Sequence, residues 1–341
     1  MWPWFHTLAH NYSHLLNKID VGSALVTTDK HFDEVKFEGE VEILEKFTLK
    51  NLIPDTITII KVIRNFEPDY LITEVNADPR FFLATIFSSV KSLHCVHDVN
   101  PHDSTHRVKL FRRLVHNFYT WRSSKLITFS KSSLELSRAD YKVTLLPELP
   151  LCESIRTDSN QRRNYVFFGR IRPYKNLDWL VENWPEISNN LDGEELHIFG
   201  KSDKDYGGVR VRHFNEVFHS SNLSQKLGSY RAAIFPYQET SQSGALLFAH
   251  ASNVTSITTE LPGFIEFQPP NSMYMNISDH RVLKEILEQQ MYLEQENGLA
   301  EMAKGHLREL ERNALLDIEF ILHQLCRAGA PEVINSRTFR S

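Results

Sequence analysis

Cysteine is scarce in this chain, with three in 341 residues. Cys95, Cys152 and Cys326 are far apart and show no C-x-x-C spacing that would suggest a zinc or dithiol-redox centre, and a reducing cytoplasm is the natural setting. Long apolar runs are also lacking. Pieces such as Gly244–Ala249 fall far short of the roughly 20 residues that span a bilayer. The opening Met-Trp-Pro-Trp-Phe-His has neither the basic region nor the sustained apolar core of an export signal, which again points to the cytoplasm. Neither sign of charge dominates: 43 acids face 38 lysines and arginines, for a net charge of −5, which argues against a surface that grips nucleic acid. With 41% apolar and 24% charged residues, the composition is that of a soluble globular protein and excludes wholesale disorder. The length leaves room for two domains.

What is present is an alternation of short β-branched or aromatic runs with stretches of helical length, the rhythm of parallel sheets with crossover helices. In the first half the spacing predicts strands at Ala24–Thr27, Tyr70–Thr73, Ser92–His97, Leu126–Phe129 and Val143–Leu146. It predicts helices at Pro79–Val90, Val108–Trp121 and Ser132–Ala139. Pro54–Phe66 reads as a helix with Ile53, Ile57, Ile60 and Ile63 on one face, although Thr56–Ile59 alternates like a strand. The rhythm stops in a polar run at 149–163, an interdomain linker. A second unit follows, with strands at Asn164–Ile171, Glu195–Phe199, Val209–Phe214, Ala232–Pro236 and Val254–Thr258. Its helices are expected at Leu177–Trp184, Leu223–Tyr230 and Gly244–Ala251, and helix again from Asp279 to about Leu325. The expected division is a domain at 1–148, the linker, a second domain at 164–310, and a helix and tail at 311–341. Two doubly wound domains set the carboxyl ends of their strands around a cleft, where ligands of such folds bind.

Two segments could build a site there. Phe167–Asn176 is a strand ending in a Gly-Arg turn that delivers Lys175 to the start of a helix. Arg170 and Lys175 with free helix amides suit a diphosphate, two cations neutralising charge that backbone donors also bind. The same residues also suit a basic turn in solvent. Phe235–Leu246 is a strand, a small polar loop and a helix opening on Ser243-Gly244-Ala245; it offers a second set of amides, or simply a helix capped by Ser241 or Ser243. Gly244 has no Cβ to hold a ligand away.

Together, Gly-Arg-x-x-x-x-Lys-Asn at Gly169–Asn176 and Pro-Tyr-x-x-x-Ser-Gln-Ser-Gly at Pro236–Gly244 resemble the retaining GT-B-fold glycosyltransferases of family four, glycosyl transferases group 1. The resemblance spans Leu93 to Glu266 and includes His-Asp-x-x-Pro at His97–Pro101 and the Thr258–Glu266 turn. The Ser-Gln-Ser-Gly form is similar to that of polysaccharide-assembly enzymes. The resemblance implies an α/β GT-B fold, two Rossmann-like domains facing a central cleft, with a helical carboxyl-terminal tail. It implies that Arg170 and Lys175 bind the diphosphate of a nucleotide-sugar donor, that Ser243, Gly244 and Ala245 support it, and that His97 lies beside the transferred sugar. It also implies a glycan or lipid-linked glycan acceptor, no metal and no other cofactor. Ser241 and Glu239 would lie beside the donor, and Asp98 and His102 on the acceptor side. Two departures stand out. Ser241 and Ala249 occupy positions where most members carry a pair of glutamates, the second holding the ribose. The chain also opens directly in a helix where members have a strand and a Gly-Gly loop, so a strand is missing or Met1–Phe5 supplies a short one.

Other clusters have competing readings. His94–His106 packs four histidines and two aspartates into thirteen residues, yet the odd spacing of His94 and His97 on a strand sets them on opposite faces, awkward for joint metal ligation. Asp203-Lys204-Asp205 has the D-x-D form of metal-dependent transferases and reads better as a solvated turn. No acid lies between Asp103 and Glu135, whereas seven cations interleave with apolar residues there. The stretch 107–125 is therefore either a helix resting on an anionic membrane from the cytoplasmic side or one packed on its sheet with solvated cations. Two further functions remain open, an inactive GT-B binding subunit and a His/Asp metal-dependent hydrolase.

Overall fold

A computed structural model of the chain describes residues 13, 16–27, 39–74, 78–96, 114, 117–118, 121, 125–131, 133–134, 139–143, 162–218, 220–270, 272–297 and 299–327. All its sheets are parallel. In the first half, β1 (Ala24–Thr27) pairs with β2 (Glu40–Ile43), and β3 (Tyr70–Glu74), β4 (Lys91–Val96), β5 (Lys125–Thr128) and β6 (Tyr141–Lys142) follow one another in a second sheet. The β2 strand was not expected from sequence, and β6 ends just before the expected Val143–Leu146 run, of which only Val143 is described and lies outside the strand. Helices α1 (Leu52–Phe66) and α2 (Pro79–Phe87) pack together. Asp78 caps α2 by accepting from the Arg80 N–H, with Pro79 at the first helical position.

Arg80 ties this half together. Its fully buried guanidinium donates to Asp78 Oδ2 at 2.6 Å, to the Glu45 carbonyl at 2.8 Å and to Asp55 of α1. Those carboxylates hold the guanidinium pKa above its ordinary value, Asp78 foremost and against the cost of burial. On α1 the buried positions are Thr56 and Ile59, with Ile60 and Ile63 partly covered. Ile53 and Ile57, expected on the same buried face, point outward instead. The sequence period locates an apolar stripe about 100° wide, and the axial rotation that pairs Asp55 with Arg80 turns one edge of that stripe to solvent.

The second half holds a six-stranded sheet in the order β12-β11-β10-β7-β8-β9. The strands are β7 (Tyr165–Phe168), β8 (Leu196–Phe199), β9 (Val211–Phe214), β10 (Ala232–Phe235), β11 (Thr255–Thr259) and β12 (Tyr274–Met275). The central β7 and β10 are fully buried, the near-continuous apolar character of strands covered on both faces. Between them run α3 (Leu177–Ile187), α4 (Ser220–Leu227), α5 (Gly244–Ala251) and α6 (Pro262–Ile265), followed by α7 (His280–Asn297) and α8 (Leu299–Arg327). The expected α5 boundaries match, whereas α4 starts three residues early and α6 and β12 were not foreseen. Chain order runs outward from β7 to β9, then returns to β10 beside β7 and runs the other way. The strand order therefore reverses between β7 and β10, which opens a crevice at their carboxyl ends.

The halves meet at those same ends. Glu266, just after α6, accepts from the Lys131 N–H at 2.8 Å, in the segment after β5, and pairs at 3.2 Å with Nζ of Lys142, the last residue of β6. The long α8 packs on α5 and reaches back, with Phe320 edge-on to Tyr141 at 6.4 Å and Glu311 paired with Lys18.

Behind α5 lies a buried polar network in which His250 Nε2 is 2.8 Å from Ser256 Oγ, and Ser256 donates to Gln268 Oε1 at 3.1 Å. Burial first, and then His306 nearby, depresses the His250 pKa to about 3. Unfolding restores an ordinary histidine near 6.5, so the unfolded chain takes up the proton first on acidification. The contribution of His250 is complete above about pH 6.5 and is lost as pH falls toward 3. Between pH 6.5 and 4 that amounts to roughly 3 kcal/mol. Denaturant midpoints across this range should fall for the wild type and fall less for His250→Gln; parallel slopes would contradict the assignment.

Candidate functional site

The turn after β7 is shaped by Gly169. Its φ of +114° is one that L side chains rarely adopt, and a Cβ there would lie 3.2 Å from Lys175 Nζ. The chain then passes exposed Arg170 into a short 3₁₀ turn, Pro173–Lys175, which ends at Asn176 in the left-handed conformation before α3 begins. Lys175 is therefore buried, 8% exposed, and its ammonium sits 4.9 Å from the centre of the Tyr237 ring. A cation over an aromatic face is held by the ring quadrupole, and more strongly where water is excluded.

Tyr237 belongs to the loop after β10, so the contact joins the two segments on either side of the crevice. A second link supports it, from the Gln238 N–H to the Tyr174 carbonyl at 2.8 Å, and the Tyr174 and Tyr237 rings meet edge to face at 5.8 Å. Burial holds the Tyr237 hydroxyl well above its ordinary pKa, so it stays a neutral phenol. Thr259 anchors the loop by donating to the Tyr237 carbonyl at 2.7 Å.

The polar loop that follows lies flat on α6. A Cβ on Gly263 would come within 2.5–2.7 Å of Ser241 and Thr240 backbone atoms, so only glycine admits this approach. Thr240 Oγ1 donates to the Gln242 carbonyl at 2.7 Å. Buried Ser243 is the N-cap of α5, its Oγ accepting from the Leu246 N–H at 3.3 Å. The capped start of α5, with Gly244 and Ala245, thus stands beside the segment that holds Lys175. The remaining N–H groups of this first turn carry the positive end of the helix dipole.

Lys175 and the loop that leads through Tyr237 to Ser243, Gly244 and Ala245 meet at the break in the sheet, and exposed Arg170 follows Gly169 at the end of β7. Ser241 is partly exposed on the same loop and Glu239 is exposed at its outer end. Ala249 is wholly buried inside α5. His97, Asp98 and His102 lie outside the described residues, as do most of 107–125 and all of Met1–Tyr12. His94 is described; it is buried on β4 with Nδ1 3.3 Å from Thr73 Oγ1. Asp205 accepts from the Gly207 N–H in an exposed loop, and among the described residues no three His, Cys, Asp or Glu side chains are grouped to hold a metal ion. No described helix is long and apolar enough to cross a membrane.

Sequence reasoning missed Tyr237, Gly263 and Glu266, whose roles depend on contacts between distant loops. It also missed a hollow beyond the ends of β8 and β9, lined by Phe199, Glu216, Val217, Phe218, Asn222 and Lys226. Phe199, one of these residues, stacks on Phe214 at 4.6 Å.

Comparison with known proteins bears on the fold. No curated protein sequence matches the chain. Among solved structures, sucrose-phosphate synthase from Thermosynechococcus elongatus is 13% identical, covers 96% of this chain and 93% of its own, and superposes with a TM-score of 0.67. Anabaena HepE in complex with UDP-glucose is 13% identical over 95% and 94%, with a TM-score of 0.64, and a glycosyltransferase from Rickettsia africae is 12% identical over 95% and 94%, with a TM-score of 0.62. At such identities the shared feature is the fold, GT-B, two Rossmann-like domains about a cleft. Residues 162–280, which carry Arg170, Lys175, Tyr237 and the start of α5, match the family described as glycosyl transferases group 1. The match to that family is carried by the carboxyl-terminal half of the chain.

Proposed function

We propose that the protein transfers a sugar from a nucleoside diphosphate donor to a hydroxyl of a glycan or lipid-linked glycan, with retention of configuration, in polysaccharide assembly. The observation that carries this reading is the Lys175 ammonium seated between Gly169 and Tyr237 at the reversal of strand order, beside the capped start of α5. In the reaction the bond between the anomeric carbon and the β-phosphate oxygen breaks, and negative charge grows on the departing diphosphate. Lys175, Arg170 and the first-turn amides of α5 offset that charge with donors already in place. The acceptor oxygen bonds to the anomeric carbon, and its proton passes to the leaving phosphate. His97 would orient the sugar, with Asp98 and His102 toward the acceptor, Ser241 and Glu239 toward the donor, and no metal taking part.

The hollow over Phe199 lies two strands from the crevice, roughly 10 Å at the usual strand spacing, a span that suits the nucleoside end of the same donor. UDP-glucose in the HepE relative supports a nucleotide sugar as the donor class.

Lys175→Ala should lower turnover by about a hundred- to a thousandfold while the protein stays folded, measured as nucleoside diphosphate released with and without acceptor. Normal release by the variant would remove Lys175 from the reaction, and none by the wild type with any nucleotide sugar would favour a binding subunit. Tyr237→Phe keeps the ring face under the ammonium and should retain near-normal kcat/KM. Tyr237→Leu loses about 1–2 kcal/mol of cation–π attraction and should lose roughly five- to thirtyfold. Equal losses in the two variants would show that the ring is not what positions Lys175.

A further inference from the structure

The loop between β8 and β9 touches the segment that carries Arg170 and Lys175 near both of its ends. Gly200 opens the loop so close to the turn after β7 that a Cβ there would lie 2.5 Å from the Gly169 carbonyl oxygen and 3.2 Å from the Ile171 side chain. Farther along, Lys204 pairs with Asp178 in the first turn of α3, just after the turn that delivers Lys175. The loop is held in its turn from β9. Asn215 bonds Ser202 twice, accepting from its N–H at 2.9 Å and donating to its carbonyl at 2.8 Å, and His213 reaches under the loop with a wholly buried ring.

Three groups compete for the two nitrogens of that ring. Nε2 is 2.9 Å from the Gly200 carbonyl, which can only accept, so Nε2 carries a hydrogen. Nδ1 receives the Tyr206 N–H at 3.2 Å, which can only donate, so Nδ1 is bare. These two contacts fix the neutral tautomer. Yet Asp205 Oδ1 stands 3.3 Å from the same Nδ1, acceptor facing acceptor, and is kept there by the Gly207 N–H at 3.0 Å. That donor first, and then His213, holds the Asp205 carboxyl below its ordinary pKa, so it stays charged over the range in which histidines titrate. Other charges near the ring are engaged or turned away. Lys204 is paired with Asp178, Arg212 lies on the opposite face of β9 with Glu195, and Lys201 and Asp203 are exposed. Burial above all raises the Tyr206 hydroxyl pKa, so that group stays neutral. A proton added to Nδ1 therefore reverses the competition, because the new N–H donates to an anion, a stronger bond than the neutral one it replaces. We infer that His213 is a proton-operated switch for this loop: neutral, it holds the backbone at Tyr206, and protonated, it bonds Asp205 and releases Tyr206, while its Nε2–H keeps Gly200 in place in both states.

The switch is independent of the reaction proposed above, because it is read on the full chain without ligand. Nitrogen resonances of isotope-labelled histidine, with those of His213 assigned by their loss in His213→Gln, report the two ring nitrogens separately. At about pH 8 Nδ1 should be bare and Nε2 protonated, and at about pH 5.5 both should be protonated. Over the same interval the Tyr206 amide, corrected for the intrinsic pH dependence of exchange, should lose about fivefold in protection, the loss of one hydrogen bond, while the β8 amides keep theirs. His213→Gln offers Gly200 a donor and Tyr206 an acceptor with no proton to gain, so its Tyr206 protection should not change with pH. In Asp205→Asn, which removes the anion, the loss of protection should move to lower pH, and melting curves show whether the two variants fold. A wild-type ring protonated on Nδ1 at both pH values overturns the inference, as does Tyr206 protection that is unchanged between them. So does a loss of protection that persists in folded His213→Gln or that keeps its pH in folded Asp205→Asn.

Discussion

Space at the reversal of strand order is the constraint on which the rest depends. Two loops from neighbouring strands must approach closely enough to share one buried cation, and this demands a residue without a Cβ at Gly169 and another at Gly263. With those two in place, Lys175 reaches the Tyr237 ring, the Gln238 N–H reaches the Tyr174 carbonyl, and the start of α5 is set beside them. A group held so firmly before ligand arrives stabilises developing charge without reorganising, the condition under which electrostatic catalysis is most effective.

The surrounding architecture carries this local arrangement to the other lobe. Glu266 follows three residues after Gly263, so the element that seats the polar loop also accepts from Lys131 and pairs with Lys142 across the cleft. On the far side α8 packs on α5 and reaches Tyr141. These contacts between lobes run through α8 and the residue after α6, elements packed on α5 or on the polar loop, so a change in lobe separation would be felt at the loop from Thr240 to Ser243.

Legibility in the sequence differed between the halves for a physical reason. Central strands such as Tyr165–Phe168 and Ala232–Phe235 are buried on both faces, so their unbroken apolar runs announce themselves, and α5 is apolar all round because it is buried all round. The first half has weaker signals. Ile53 and Ile57 carry the apolar period yet face outward, because Asp55 is drawn to Arg80, and β2 is a four-residue strand with only one residue even partly covered. In the site, the motif spacings located Arg170, Lys175 and Ser243 because local chain geometry delivers them. Tyr237 was read only as a motif position and its contact with Lys175 was out of reach, since a cation–π contact between two loops leaves no mark on the spacing within either one. Glu266 was out of reach for the same reason, its partners lying more than a hundred residues away.

Calorimetric titration of the wild-type protein and of Arg170→Ala with a nucleoside diphosphate and with the matching nucleoside tests the central claim most directly. Charge-assisted hydrogen bonds of about 1.5–3 kcal/mol at the crevice predict that the diphosphate binds at least tenfold more tightly than the nucleoside, and that Arg170→Ala erases most of the difference. Equal affinities in the wild type, or a diphosphate preference that survives the substitution intact, would contradict it.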